Sequence, residues 1–295
     1  MTITHDFAYH RPATLAEAVA LLAEGGEGTW VLAGGTDVVP WLRDDAVHPD
    51  ALVDLKRIEG LGDVTEADGV VSIGALVTFT DLLKSGLIAE RLPLLGEAAA
   101  TVASVGIRNR ATLVGNLCSA VPSCDAGPAL LCHDALLRVA GPDGNREIPI
   151  SEWFVGPRRT SLETGELVTA VAVPDPGTHG ACYAKLTRYR GEDLSQAGVA
   201  VVALPGNHYR VAFGAVGPVP FTAPTIEAHL DGRDLDPESV EGAVALVEGV
   251  ISPITDVRAT REYRSHMCKV MLRRALAAAT GRLRGDGPPY REQVV

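Results

Sequence analysis

The segment from Thr101 to Asp125 constrains the fold most, because it crowds hydrogen-bonding side chains around glycines between two apolar stretches. Its polar and glycine positions are Gly106, Arg108, Asn109, Arg110, Thr112, Gly115, Asn116, Ser119 and Asp125. The run before it, residues 92–104, is apolar enough for a buried helix. Residues 105–126 are therefore predicted to form a loop that binds a polar ligand. A tight turn whose polar groups cap one another is the alternative.

A second glycine-containing segment follows a short apolar run near the amino terminus. Residues 29–33 are predicted as a strand, residues 34–37 read Gly-Gly-Thr-Asp, and residues 38–43 are predicted as a short helix. A strand that turns through glycines into a helix exposes backbone N–H groups that can bind phosphate oxygens. Glycine leaves room for close approach, although two glycines also end many strands that bind nothing. Asp37 is interpreted as the cap of the helix that follows.

The order of the predicted elements indicates an α+β fold. Thr14 and Glu17 form a capping box at the start of a helix over 14–24. Strands at 29–33 and 51–55, with the short helix at 38–43 between them, make a short β-α-β-like unit. The unit is too short for a full dinucleotide-binding fold, and the G-x-G-x-x-G signature is missing. A nicotinamide-binding Rossmann domain is therefore disfavoured.

Turn signals divide the chain into three regions and a tail. The predicted divisions are 1–56, 57–177, 178–287 and a frayed tail at 288–295. The prolines and glycine at 174–177 mark the second boundary. The third region is predicted as a small antiparallel sheet with helices. Residues 205–207 (Pro-Gly-Asn) separate two apolar runs as a hairpin turn does, and Asp236 begins a helix before a proline.

Charge and hydropathy exclude several classes of partner. The chain has 26 basic and 37 acidic residues, for a net charge of −11. An acidic surface does not suit nucleic-acid phosphates or anionic lipid, so no nucleic-acid or membrane partner is expected. There is no run of 18 or more apolar residues, and the amino terminus lacks the apolar core of a signal peptide. The expected location is the cytoplasm.

The cysteine and histidine patterns argue against a metal centre or a nucleophilic enzyme. The five cysteines are scattered, and without an export signal they are predicted to be free thiols, mostly buried. No closely spaced C-x-x-C pair, no H-E-x-x-H and no G-x-S-x-G occurs. We therefore predict no metal site in this chain.

The two glycine-containing segments together resemble those of the FAD-binding medium subunit of the molybdenum hydroxylases, the family of carbon monoxide dehydrogenase and xanthine dehydrogenase. A-G-G-T-D at 33–37 is similar to the family's first pyrophosphate loop. I-R-N-R-A-T-L-V-G-N at 107–116, followed by Asp125, is similar to its second flavin segment. The likeness extends from F-x-Y-H-R-P at 7–12 to the helical run at 262–276. The resemblance implies a two-part FAD-binding domain, in which the first two regions clamp FAD, and a carboxy-terminal domain outside it.

Candidate site residues follow from that resemblance. In the first loop they are Leu32, Ala33, Gly34, Gly35, Thr36 and Asp37. In and beside the second segment they are Val102, Ala103, Thr112, Gly115, Asn116, Ser119 and Asp125. Val168 matches an apolar residue against the flavin ring. Lys185 matches a lysine near the ring, where a cation favours the anionic reduced flavin and has a catalytic role; a surface lysine on a strand edge is the alternative.

Three features of the second segment leave alternatives open. Val114 stands where the family commonly has glycine, and Val121 stands where it commonly has Ser or Thr. Arg108 and Arg110 are interpreted as braces that bond the loop's carbonyls or carboxylates, with direct FAD contact as the alternative.

The resemblance implies electron transfer through FAD inside a larger enzyme. A molybdopterin-binding large subunit would oxidise the substrate, and a small [2Fe-2S] subunit would pass electrons to FAD, which would deliver them to an external acceptor. The chain would then be an oxidoreductase subunit in a hetero-oligomer. A freestanding flavin-dependent oxidoreductase and a non-catalytic structural relative are the alternatives. The substrate and the acceptor (NAD, oxygen or a quinone) are not readable from this chain.

Overall fold

The computed structural model describes residues 3–189, 192–292 and 294–295, and its first part is a three-stranded parallel sheet. The elements are β1 (Ala8–His10), α1 (Leu15–Gly25), β2 (Thr29–Leu32), α2 (Val38–Arg43) and β3 (Ala51–Asp54). The strand order is β1-β3-β2. The predicted capping box is confirmed, since Glu17 N donates to Thr14 Oγ1 and the Glu17 carboxylate accepts from the amide of Thr14. Helix α2 has the predicted bounds.

The middle part is built on a five-stranded antiparallel sheet of order β4-β5-β10-β6-β7. Its elements are β4 (Val64–Ala67), β5 (Val70–Gly74), α3 (Phe79–Lys84), α4 (Gly86–Arg91), α5 (Pro93–Ala100), α6 (Val105–Arg108), α7 (Leu113–Ser119), α8 (Ala126–Cys132), β6 (Leu136–Gly141), β7 (Gly144–Pro149), α9 (Ile150–Trp153), β8 (Phe154–Gly156), β9 (Arg159–Thr160) and β10 (Leu167–Pro174). The helices α3 to α8 all fall between β5 and β6 along the chain.

The segment predicted as a polar loop is mostly helical. The buried helix predicted over 92–104 ends at Ala100, and α6 and α7 occupy much of 105–126. Ser104 and Thr112 begin these two helices, because each hydroxyl accepts from the backbone N–H three residues later. Hydroxyl side chains, which indicated a loop by composition, act here as helix caps.

The carboxy-terminal part is a four-stranded antiparallel sheet, β11-β12-β13-β14, with three helices, as predicted. Its elements are β11 (Gly180–Leu186), β12 (Ala197–Leu204), β13 (His208–Gly214), β14 (Phe221–Thr222), α10 (Pro224–Leu230), α11 (Pro237–Val250) and α12 (Arg261–Arg284). The predicted hairpin turn is confirmed: Gly206 and Asn207 both have positive φ, of 83° and 61°, which these two residue types tolerate. Asp236 caps α11 as predicted.

Side-chain alternation divides the carboxy-terminal sheet between two hydrophobic cores. On β11, Ala181 and Tyr183 belong to the core that also packs the first two parts of the molecule. Cys182 and Ala184 belong to a second core, against α10, α11 and α12. One face of β11 is therefore directed toward the middle part of the chain. The α+β fold class is confirmed, while the division at residues 56 and 177 stays a prediction.

The end of the chain packs back onto the middle part. Arg291 N donates to Glu97 Oε1 at 2.8 Å, and Ala181 N donates to the Tyr290 hydroxyl at 3.3 Å. The guanidinium of Arg282 lies 4.4 Å from the centroid of the Tyr290 ring. The sequence predicts a frayed tail here. The structure differs for 288–292 because a buried carboxylate on α5 offers an acceptor that composition alone does not reveal.

Four free cysteines are buried as predicted, and Cys118 is exposed. Within the described ranges, no helix is long and apolar enough to cross a membrane.

His133, which follows α8, is expected to make the protein less stable in acid. It is 4% exposed, and neither ring nitrogen has a partner among the described residues. Burial and the neighbouring His179 lower the pKa of His133 to about 3, from an ordinary value of 6.5. Below pH 6.5 the unfolded chain therefore binds a proton that the folded chain does not, and stability falls by about 1.4 kcal/mol per pH unit.

Denaturant unfolding at about pH 7 and about pH 5 measures this loss. His133→Phe should flatten the pH dependence, whereas the exposed His266→Phe on α12 should leave it as in the unsubstituted chain. An equal slope in His133→Phe and the unsubstituted chain would contradict the assignment.

Candidate functional site

The first glycine loop lies directly against the second polar segment. A Cβ on Gly34 would lie 2.0 Å from the carbonyl oxygen of Arg110 and 3.1 Å from Cα of Ala111, so only glycine fits there. The hydroxyl of Ser119 donates to the carboxylate of Asp37 in a short hydrogen bond. The structure thus brings together the two segments that the sequence singled out.

The first loop presents a row of backbone N–H groups without partners. Gly35 has φ +75°, and the amides of Val39 and Trp41 close the first turns of α2 onto Gly35 and Asp37. Among the described residues, the N–H groups of 34–38 donate to no hydrogen bond. Orphan donors at a helix start suit an anion such as a diphosphate. These features fit the phosphates of FAD.

Asp37 does not cap α2, contrary to the prediction. It occupies the cap position, but its own backbone is helical (φ −101°, ψ −51°) and its side chain makes no cap bond. An extended backbone is needed to turn a cap side chain onto the helix. The carboxylate instead accepts from Ser119 and ties the loop to α7.

The second segment uses several of its polar groups on itself. Gly115 N donates to Thr112 Oγ1 at 3.0 Å, and a Cβ on Gly115 would come within 2.8 Å of that oxygen. Cys124 Sγ donates to Asn116 Oδ1 at 3.1 Å. The self-capping alternative is therefore correct for Thr112.

Arg108 braces the approach to this segment, as predicted. Its Nη1 donates to the carbonyls of Val102 and Ala103, both at 2.6 Å. These bonds hold Ala103 at φ +36°, a strained value for a residue with a side chain. Arg110 is different: its side chain is exposed and makes no hydrogen bond or ion pair within the described part of the chain. Arg110 contributes its backbone carbonyl, which lies against Gly34 of the first loop.

Lys185 is a buried cation, so the surface-lysine alternative is wrong. Its side chain is 4% exposed, and Nζ donates to Asp125 Oδ2 at 2.7 Å and to Thr101 O at 2.9 Å. The hydroxyl of Tyr183 donates to Asp125 Oδ1 at 3.0 Å. Burial raises the pKa of the Asp125 carboxyl, while the Lys185 ammonium and the two hydrogen bonds oppose the rise.

Four other positions lie in apolar surroundings. Val168 is 2% exposed in β10, paired with Val139, and Val114 is 5% exposed in the same core. Val121 packs against that core from its edge. The side chain of Val114 is thus used for packing in that core. Leu32 lies in a small cluster with Leu42 under the first loop.

Two participants were missed by the sequence analysis. Tyr183 precedes Lys185 by two residues, and strand periodicity alone places both on one face of β11. Glu97 accepts from the amide of Tyr183 at 2.8 Å, and no local signal marks it among the apolar residues of α5. In the described part of the chain, no three His, Cys, Asp or Glu side chains are grouped to hold a metal ion.

Comparison with known proteins defines the class as an FAD-binding flavoprotein. Residues 5–176 match the model described as the FAD binding domain in molybdopterin dehydrogenase, and residues 181–279 match the CO dehydrogenase flavoprotein C-terminal domain. The chain belongs to the family of FAD-binding medium subunits of the molybdenum hydroxylases. Its cofactor is FAD, and it is an oxidoreductase subunit.

Individual relatives match over nearly their whole length. The carbon monoxide dehydrogenase medium chain of Afipia carboxidovorans is 35% identical, over 95% of this chain and 99% of that one. The xanthine dehydrogenase FAD-binding subunit of Escherichia coli is 34% identical, over 94% and 99%. A chain of reconstituted CO dehydrogenase from Oligotropha carboxidovorans superimposes with a TM-score of 0.91 at 36% identity, over 95% of this chain and 100% of that chain. The family, fold and cofactor predictions are confirmed, and the roles of the individual site residues stay predictions.

Proposed function

We propose that this chain is the electron-transfer subunit of a molybdenum hydroxylase. It takes electrons from a small [2Fe-2S] subunit, whose partner is a molybdopterin-binding large subunit, and passes them to an external acceptor. The main support is the row of unpartnered N–H groups at 34–38, set against the second flavin segment, in a chain that spans almost the whole of known medium chains. FAD, when bound, supplies a redox centre that exchanges electrons singly or in pairs.

Within this proposal the two segments divide the work of binding. The N–H groups of 34–38 hold the diphosphate, because they have no acceptor of their own within the described part of the chain. The second segment supplies Asn116. Its amide oxygen accepts from Cys124, and its amide nitrogen has no acceptor within the described residues. The hydrogen bond from Ser119 to Asp37 holds the two segments together.

Lys185 provides the local field at the flavin ring. Its ammonium has three N–H donors, and two of them are bonded to Asp125 and Thr101. Because Asp125 balances the charge, the pair adds an oriented dipole to the site without a net cation. When FAD is bound, the remaining N–H donor of Lys185 would be the group that favours negative charge on the ring.

The experiment separates a subunit from a freestanding enzyme. A tagged chain, purified from its host, is expected to bring with it a large molybdopterin-binding chain and a small two-cluster chain. Under anaerobic conditions the isolated flavoprotein should bleach slowly or not at all with candidate organic substrates, whereas the complex should bleach rapidly with its own. Dithionite, which bleaches either form, controls for flavin accessibility. Rapid bleaching of the isolated chain by an organic substrate would overturn the subunit assignment.

A further inference from the structure

Two side chains of β11 converge on one carboxylate of the flavin segment. Tyr183 and Lys185 lie on the same face of the strand, since successive strand residues alternate. The tyrosine hydroxyl donates to Asp125 Oδ1 at 3.0 Å, and the lysine ammonium donates to Oδ2 at 2.7 Å. Each oxygen of Asp125 thus has its own donor from the carboxy-terminal sheet.

The same ammonium reaches the other end of the segment. Lys185 Nζ donates to the carbonyl of Thr101 at 2.9 Å as well as to Asp125. Thr101 and Asp125 are the first and last residues of the polar segment that contains α6 and α7. One cation therefore joins both ends of the segment, and its position depends on where Asp125 is held.

We propose that Tyr183 is a positioning residue for the flavin site. It fixes Asp125 so that Lys185 can join the two ends of the segment Thr101–Asp125. These three residues, Tyr183, Asp125 and Lys185, are called the clasp, and the clasp sets the affinity for FAD. The inference rests on the proposed function only in placing FAD along that segment. Tyr183 acts through Asp125.

The surroundings make the clasp sensitive to acid. Tyr183 is 7% exposed, and Glu97 of α5 accepts from its backbone amide. Cys124, beside Asp125, is also buried, and burial raises its pKa to about 12, so it stays neutral. Burial and Asp125 likewise raise the pKa of Tyr183, which remains a neutral donor. Asp125 is thus the group of the clasp that loses its charge as the pH falls.

The test compares two buried tyrosines in the full-length chain. Tyr183→Phe removes the hydroxyl of the clasp, and Tyr209→Phe removes one that meets Thr280 at 3.4 Å in the other core. FAD affinity is measured by fluorescence titration across a pH series. We expect Tyr183→Phe to weaken FAD binding about tenfold, since a hydrogen bond to a charged group is lost. Its acid loss of affinity should begin at higher pH, because a carboxylate with fewer donors is protonated more readily.

Tyr209→Phe should match the unsubstituted chain in both respects, with folding checked by far-ultraviolet circular dichroism. Equal affinity and an equal pH profile for the two variants would overturn the proposal. If Tyr183→Phe does not fold, Asp125→Asn decides the matter, because its amide does not titrate in this range. The clasp requires the acid loss of affinity to disappear in Asp125→Asn, and its persistence would overturn the proposal. FAD titration of the isolated chain measures binding and does not involve electron transfer. A failure of the clasp proposal can therefore be told apart from a failure of the proposed electron-transfer function.

Discussion

The Gly34→Ala variant is expected to lose about 2 kcal/mol of unfolding free energy and to bind FAD about a hundredfold more weakly. The added methyl group would lie 2.0 Å from the Arg110 carbonyl oxygen, which is backbone and has no rotamer to change. The loop 33–37 must therefore move away from the second segment. Such a shift separates the N–H groups of the loop from the rest of the site. Chemical denaturation and FAD titration measure the two effects.

Gly62→Ala is the matched control, because a Cβ at that position meets nothing within 4 Å and φ is not positive there. It should retain both stability and FAD. If Gly34→Ala bound FAD as tightly as Gly62→Ala, close contact between the two segments would not be needed for the cofactor.

Arg282→Met is expected to cost about 3–5 kcal/mol of unfolding free energy, because it leaves a buried carboxylate without its cation. Arg282 and Glu97 are 3% and 4% exposed, with Nη2 to Oε1 at 2.9 Å. Arg282 also donates to the carbonyl of Ala181 at 2.6 Å, and Glu97 accepts from the amides of Tyr183 and Arg291. The pair therefore joins α5, β11, α12 and the end of the chain.

The same helix provides the control for this pair. Arg273 and Glu241 form a bidentate ion pair at 2.5 and 2.8 Å, with side chains 40% and 60% exposed. Arg273→Met should change stability little, since solvent screens an exposed pair and its side chains lose entropy in making it. Urea unfolding of both variants measures the difference. Equal losses would mean that burial of the Glu97 pair does not determine its contribution.

Local signals predicted the ends of many elements. The capping box at Thr14 and Glu17, the cap at Asp236 and the turn at Gly206-Asn207 all occur where the sequence placed them. Each depends on a donor and an acceptor within a few residues, or on the backbone preference of one residue type. The predicted helix over 92–104 is too long, because apolar composition does not show where a buried helix ends.

The candidate site was only partly readable in the same way. Glycines at 34 and 35 and the polar segment were found, and the family resemblance named FAD. Asp37 was misassigned, since a cap and a long-range acceptor are indistinguishable in a sequence. Asp37 accepts a hydrogen bond from Ser119, which is 82 positions away, and no residue near Asp37 indicates that partner.

The sequence by itself determined the caps at Thr14 and Asp236, the turn at Gly206-Asn207, the α+β class and the two segments of the candidate cofactor site, because each depends on neighbouring residues or on a long motif. Tertiary structure decided what those residues do. Gly34 is needed for the approach of the Arg110 carbonyl. That the N–H groups of 34–38 lack acceptors among the described residues is visible only in the folded chain. Lys185 meets Asp125 across 60 positions. Such pairs form because folding removes both groups from water, and a buried charge is stable only where the fold supplies its partner.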